Sequence, residues 1–226
     1  MPILALDTSS AVAVAVLSDA GDVLAAASSD EPRRHAELLA PMLSTALAQA
    51  GVDRRELTAV VAGTGPAPFT GLRVGLVTAR ALGLALGVPV WGVPSLDALA
   101  ARAGRGAAPG TRVVAVGDAR RREVYWASFT VTPDGIAPAE GPDIATPADL
   151  RGSGRLDGAL VVGRGARTYA AALGLAAEPT VLDPDPAELA RLALVRAAAG
   201  ETLPTEPLYL RRPDAEPPAA AKRVLT

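Results

Sequence analysis

An α/β fold in two lobes is predicted by three features of the sequence. Short apolar runs rich in Val and Ala alternate with longer segments of helical periodicity. The chain begins twice: "ILALDTSSAVAVAV" and "VVAVGDARRREVYWASF" share one layout, an apolar strand, a turn led by an acid, and a second strand. Between them lies "RAGRGAAPGTR", a Gly/Pro/Arg connector with the composition of a lobe boundary. The expected division is a first lobe over 1–104 and a second over 105–212 whose last helix packs back on the first. Residues 213–226 are expected to form a mobile tail.

In the first lobe, residues 3–6 and 12–17 read as strands joined by the polar turn Asp7-Thr8-Ser9-Ser10. Gly21-Asp22 turns the chain into a third strand near 23–27. Residues 32–50 read as a helix closed by Gly51, kinked at Pro41, with Leu38, Leu39, Met42, Leu43, Ala46 and Leu47 on one stripe. A short buried strand at 59–62 feeds the glycine-rich run "GTGPAPFTGLR". Thr70 is the expected N-cap of the next helix, with Phe69 and Val74 as a hydrophobic staple. Along that helix Gly71, Gly75, Ala79, Gly83 and Gly87 recur every four positions and form a nearly flat stripe. Each buried glycine costs up to about 1 kcal/mol of helix propensity, so close packing is expected to offset it. Two occupants fit the stripe equally well: the helix's own sheet, or a helix of another subunit. A strand at 88–93 and a helix from a Ser95 cap to about 103 complete the lobe.

In the second lobe, strands are expected at 113–116 and 123–131, then a mostly irregular stretch over 133–158. A strand at 159–162 and a helix at 166–173 follow. Asp185-Pro186-Ala187-Glu188 reads as N-cap, first-turn proline and capping-box acid opening a helix to about 199, which Gly200 ends.

Composition removes several chemistries. The chain has 226 residues, no Cys, and a single His, His35, so zinc–sulfur sites, thiolate nucleophiles and multi-imidazole metal sites are excluded within one chain. A formal charge of −2 does not point to direct nucleic-acid or membrane binding. The apolar stretch 71–90 contains Arg73 and Arg80, a poor membrane span. With no basic leader before its first strand, the chain is expected to be soluble and cytoplasmic.

Two acid-led hairpins facing across a cleft grip phosphates in the actin, hexokinase and Hsp70 architecture, where the carboxylates organise Mg²⁺ and water. On that pattern Asp7, Thr8, Ser9 and Asp118 are candidate phosphate-loop residues. The alternative is that each Asp is a turn residue bonded to its own backbone. The glycine-rich run before a helix start suits phosphate as well, but it lacks a Walker lysine. An ATP-dependent small-molecule kinase on this fold is therefore the second reading. A metallopeptidase is a weaker third, because His35 has no second His four residues along.

Five segments in one order, "ILALDTSS", "RRHAELLAPML", "GTGPAPFTGLRVG", "VGDARRREVYWASF" and "PLYLRRPDA", make the chain similar to the bacterial TsaB family over residues 3–215. The resemblance implies an actin-like duplicated fold and an accessory role in making threonylcarbamoyladenosine in tRNA, with no catalytic residues. It implies no cofactor in the isolated chain, with ATP and a metal on partner subunits. The implied partners are a TsaD-like catalytic subunit and a TsaE-like ATPase, with a homodimer in their absence and tRNA met only through the complex. The pairing surface it implies lies on the 33–50 and 70–86 helices. Carried onto this chain, that surface is His35, Leu38, Leu39, Met42, Leu43, Gly71, Leu72, Gly75, Leu76, Ala79, Leu82 and Gly83. Two positions depart from the family pattern: Ala67 stands where the loop usually has glycine, and Arg122 where glycine commonly precedes Glu-Val-Tyr. Both make small-ligand capture at those turns less favourable. Arg33-Arg34, Arg120-Arg121-Arg122 and Arg211-Arg212 fit either tRNA phosphates or the chain's own acids.

Overall fold

Two sheets, each sandwiched between helices, make up the computed structural model, which describes residues 1–29, 31 and 34–211. The expected start of the first helix at 32–33, Arg212 and the expected mobile tail lie outside the described residues. The first sheet holds β1 (Ile3–Asp7), β2 (Val12–Leu17), β3 (Val23–Ser29), β4 (Ala59–Gly63) and β5 (Val90–Val93), in the order β3-β2-β1-β4-β5. The second holds β6 (Arg112–Asp118), β7 (Val124–Thr132), β8 (Gly135–Ala145) and β9 (Leu160–Val162), in the order β8-β7-β6-β9. The pairing repeats: the first strand is antiparallel to the second and parallel to the fourth, and the second is antiparallel to the third. This is the duplicated, two-lobed actin-like fold.

Period-two alternation sends successive side chains of β1 and β2 to two buried faces. Leu4, Leu6, Val12, Val14 and Val16 meet α1 (His35–Ala50) and α2 (Phe69–Leu86). Ile3, Ala5, Ala15 and Leu17 meet α7 (Pro186–Ala198), so the last helix of the second half covers the first sheet. The exchange is mutual. Helix α3 (Ser95–Gly104) buries Leu96, Leu99 and Ala100 against β6 and β7, while α4 (Pro147–Gly152), α5 (Arg164–Thr168) and α6 (Ala170–Leu173) cover the opposite face of that sheet.

Several local expectations are corrected. The stretch 133–158 is mainly β8 and α4; β8 carries Pro138 and Pro142, which an edge strand tolerates because one row of its amides has no ladder partner. Helix α2 begins at Phe69 after Pro68, so Thr70 is its second residue and not its cap. Ser95 is the first residue of α3, with its hydroxyl committed elsewhere. Asp185 caps α7 through the Ala187 N–H as expected, but Glu188 is buried and binds Arg105 and Arg191 instead of closing a capping box. Gly51 and Gly87 end α1 and α2 in the left-handed conformation, at φ 66° and 68°.

Candidate functional site

The two acid-led turns have the same construction. Asp7 ends β1 and pairs with Ala13, and Asp118 ends β6 and pairs with Val124, the same spacing in both. Asp7 Oδ1 accepts from the Ser9 N–H at 2.7 Å, and Asp118 Oδ1 from the Arg120 N–H at 2.8 Å. The acids are therefore equivalent positions of a duplication and, at the same time, residues that organise their own turns.

Asp7 is spent further. Its Oδ1 accepts from Ser9 Oγ and its Oδ2 from Ser95 Oγ, both at 2.6 Å. A Cβ on Gly63 would fall 1.8 Å from Oδ2, so only glycine lets β4 pass the carboxylate. Burial pushes the Asp7 carboxyl above its ordinary range, and the hydrogen bonds from Ser9 and Ser95 pull it part of the way back. Asp118 is half-buried, with its Oδ2 3.3 Å from the Arg120 guanidinium. Thr8 is equally committed. Its hydroxyl donates to the Gly71 carbonyl at 2.8 Å and accepts from the Gly75 N–H at 3.0 Å, bridging one turn of α2.

Between the turns lies a cleft of about 620 Å³, walled by Ser10, His35 and Thr70 on one side and by Asp118, Arg120 and Arg167 on the other. Its rim is tied across the lobes: Asp183 accepts from Ser10 Oγ at 2.6 Å and pairs with Arg164 at 2.5 Å. His35, expected on a partner surface, faces this cleft with Nε2 3.1 Å from the Ser10 carbonyl. Among the described residues, no three His, Cys, Asp or Glu side chains gather as metal ligands.

Helices α1 and α2 divide the expected interface residues between two faces, and of the two occupants weighed for the glycine stripe the helix's own sheet fills it. Leu39, Leu43, Leu72, Gly75, Leu76, Ala79 and Gly83 are buried against the molecule's own first sheet. A Cβ on Gly75 would sit 2.5 Å from Thr8 Oγ1, one on Gly83 2.2 Å from Val90 Cγ2, and one on Gly71 2.9 Å from the Thr8 carbonyl. The glycine stripe is a helix–sheet seam. Leu38, Met42 and Leu82 are half-buried at its border. The outward face of α2 carries other residues: Val77 is 64% exposed, Leu84 87% and Phe69 46%, with Arg73, Arg80 and Ala81 between them. Periodicity located the helix, and its small residues mark the side that faces the sheet.

Comparison with known proteins decides the kinship. A family model described as TsaD, tRNA N6-adenosine threonylcarbamoyltransferase, matches residues 27–178. An Escherichia coli protein named tRNA threonylcarbamoyladenosine biosynthesis protein TsaB is 38% identical over 60% of this chain and 58% of its own length. A structure described as YeaZ from Pseudomonas aeruginosa is 31% identical and superposes with a TM-score of 0.76 over 92% of this chain and 100% of its own. The chain belongs to the TsaB family. An uncharacterized Mycobacterium tuberculosis protein is 43% identical over 95% of this chain and 94% of its own length. A Mycobacterium leprae relative is equally similar, but the chain spans just 56% of its length.

The two departures from the TsaB-family pattern have different consequences. Ala67 is buried and lies outside the left-handed region; the positive φ of that loop, 87°, belongs to Gly65, so alanine is accommodated. Arg120, Arg121 and Arg122 by contrast take φ of 62°, 52° and 62° in succession. Three non-glycine residues in that region store backbone strain of roughly 1–2 kcal/mol each.

Proposed function

We propose that this chain is a non-catalytic scaffold and activating subunit of the cytoplasmic machinery that makes threonylcarbamoyladenosine beside the tRNA anticodon. Its partner in this reading is a TsaD-type catalytic subunit, with a TsaE-type ATPase joining, and tRNA is met only through the assembly. ATP and metal belong to those partners. The family kinship and the name of the E. coli relative support the pathway. The observation that carries the scaffold role is the outward face of α2, where Val77 and Leu84 stand in solvent one above the other, 64% and 87% exposed. The committed state of Asp7, Thr8 and Asp118 fits the same reading, because their polar atoms are bonded to the chain's own groups: Ser95, Gly71 of α2 and the Arg120 amide.

Docking of that face removes apolar area worth roughly 25 cal/mol per Å² before association costs, and exposed apolar residues at its centre act as anchors. In the absence of the partner, the same face pairs two copies of the chain. Val77→Asp with Leu84→Asp is expected to leave the melting temperature within a few degrees of wild type and to abolish co-purification with a co-expressed TsaD-type subunit. Retained co-purification would place the interface elsewhere.

A further inference from the structure

We propose that residues 201–211 act as a strap that ties the two lobes and fixes the opening of the cleft. The segment leaves α7 and runs without helix or strand across the first lobe to the second. Each stage is anchored. The Gly92 N–H of edge strand β5 donates to the Leu203 carbonyl at 3.0 Å, and a Cβ on Gly92 would meet the Pro204 carbonyl oxygen at 2.0 Å. The strap thus closes a sheet edge that is otherwise open for pairing. Arg80 of α2 then donates to Thr205 Oγ1 at 2.9 Å and to the Thr205 carbonyl at 2.8 Å, with Glu206 3.5 Å away.

Next the Leu208 N–H donates to the Thr64 carbonyl at 2.9 Å, at the mouth of the glycine-rich run. Tyr209 stacks on Phe69 at 5.3 Å, its hydroxyl accepts from Arg73 Nε at 2.8 Å, and the Arg73 guanidinium lies 3.4 Å above the Phe69 ring. The last anchors are on the other lobe. Leu210 packs against the core of α3, β6 and β7. Arg211 donates to the Ala119 carbonyl at 3.0 Å and pairs with Glu123, clasping both sides of the strained Arg120–122 turn. One continuous segment thus holds the β5 edge, the flank of α2 and the turn that forms the far wall of the cleft. Arginines supply the grip at three points: Arg80 and Arg211 each engage two groups at once, and Arg73 adds one hydrogen bond and its stacking on Phe69.

The chain has no cysteine, so labels can be placed at will. Spin labels at Arg54→Cys on the first lobe and Ala172→Cys on the second, diluted with unlabelled chain, report the interlobe distance by pulsed electron resonance. In the Arg211→Ala background the distance distribution is expected to broaden toward longer values. Hydrogen exchange at the Leu208 amide should accelerate about tenfold or more. Faster exchange with an unchanged distribution would show that the strap drapes without tying. Unchanged exchange and distances would remove Arg211 as an anchor, and either result overturns the proposal. If Arg211→Ala fails to fold, Glu123→Ala removes the carboxylate that pairs with Arg211 and weakens the same anchor from the second lobe, and the same pair of readouts decides.

Discussion

Asp7 sits where burial and hydrogen bonding pull its proton affinity in opposite directions, with burial the stronger. An acid whose folded pKa lies above its unfolded value holds its proton more tightly when folded. It contributes stability that is fully present below the unfolded value, 3.8, and is lost as pH rises through the folded one. Asn at this position stays neutral and carries no such loss. The stability of Asp7→Asn relative to wild type is therefore expected to increase from pH 3.8 upward, across the range in which both chains stay folded. Urea midpoints of the two chains across that range check the slope; a gap that narrows with rising pH would contradict the burial-dominated assignment. Asp7→Ala should be worse than Asp7→Asn by about 1–3 kcal/mol, because Ser9 and Ser95 then lose their acceptor. The sequence placed this carboxylate in a turn but was silent on Ser95, its partner 88 positions away.

At the scale of single elements, α2 shows what a sequence pattern can and cannot reveal. Glycines every four residues announced close packing, and close packing is what the structure has. Which neighbour they admit was not legible, because β1 and β5 reach α2 through tertiary contacts that no local pattern encodes. Gly75 makes room for the Thr8 hydroxyl and Gly83 for Val90. Gly83→Ala is expected to cost about 1–3 kcal/mol through overpacking. Val90→Ala in the same chain should recover part of that loss, although the Val88 carbonyl at 3.1 Å keeps the site tight. Thermal melts of the two single variants and the double variant form a cycle. Additive losses would mean that Val90 is not what the glycine accommodates. Strand β8 illustrates the opposite difficulty, since its prolines read as irregular chain and are tolerated only because it is an edge.

For the whole molecule, the duplication was visible as two similar starts, and the repeated strand order shows that similarity to be architectural. The sequence divided the chain at a connector and expected only the last helix to pack back; in the fold the crossing runs both ways. Helix α3 precedes the connector and packs on the second sheet; α7 follows it and covers the first. The ion pairs between them, Arg105–Glu188 and Arg196–Asp97, join the two helices directly, the second at 2.6 Å with both side chains largely buried. Neither sheet keeps both of its covering layers if the other half unfolds, so the lobes are expected to unfold as one cooperative unit. The two tryptophans make this measurable, because Trp91 lies in β5 of the first sheet and Trp126 in β7 of the second. Trp126→Phe leaves a reporter on the first sheet and Trp91→Phe one on the second. Leu189→Ala, in α7, should destabilise by roughly 2–5 kcal/mol and lower the urea midpoint by the same amount in both single-tryptophan backgrounds, although Leu189 touches only the first-sheet core. Separate midpoints for the two reporters, or a Leu189→Ala shift confined to Trp91, would show two independent lobes and would make the crossed helices a surface contact instead of a shared core.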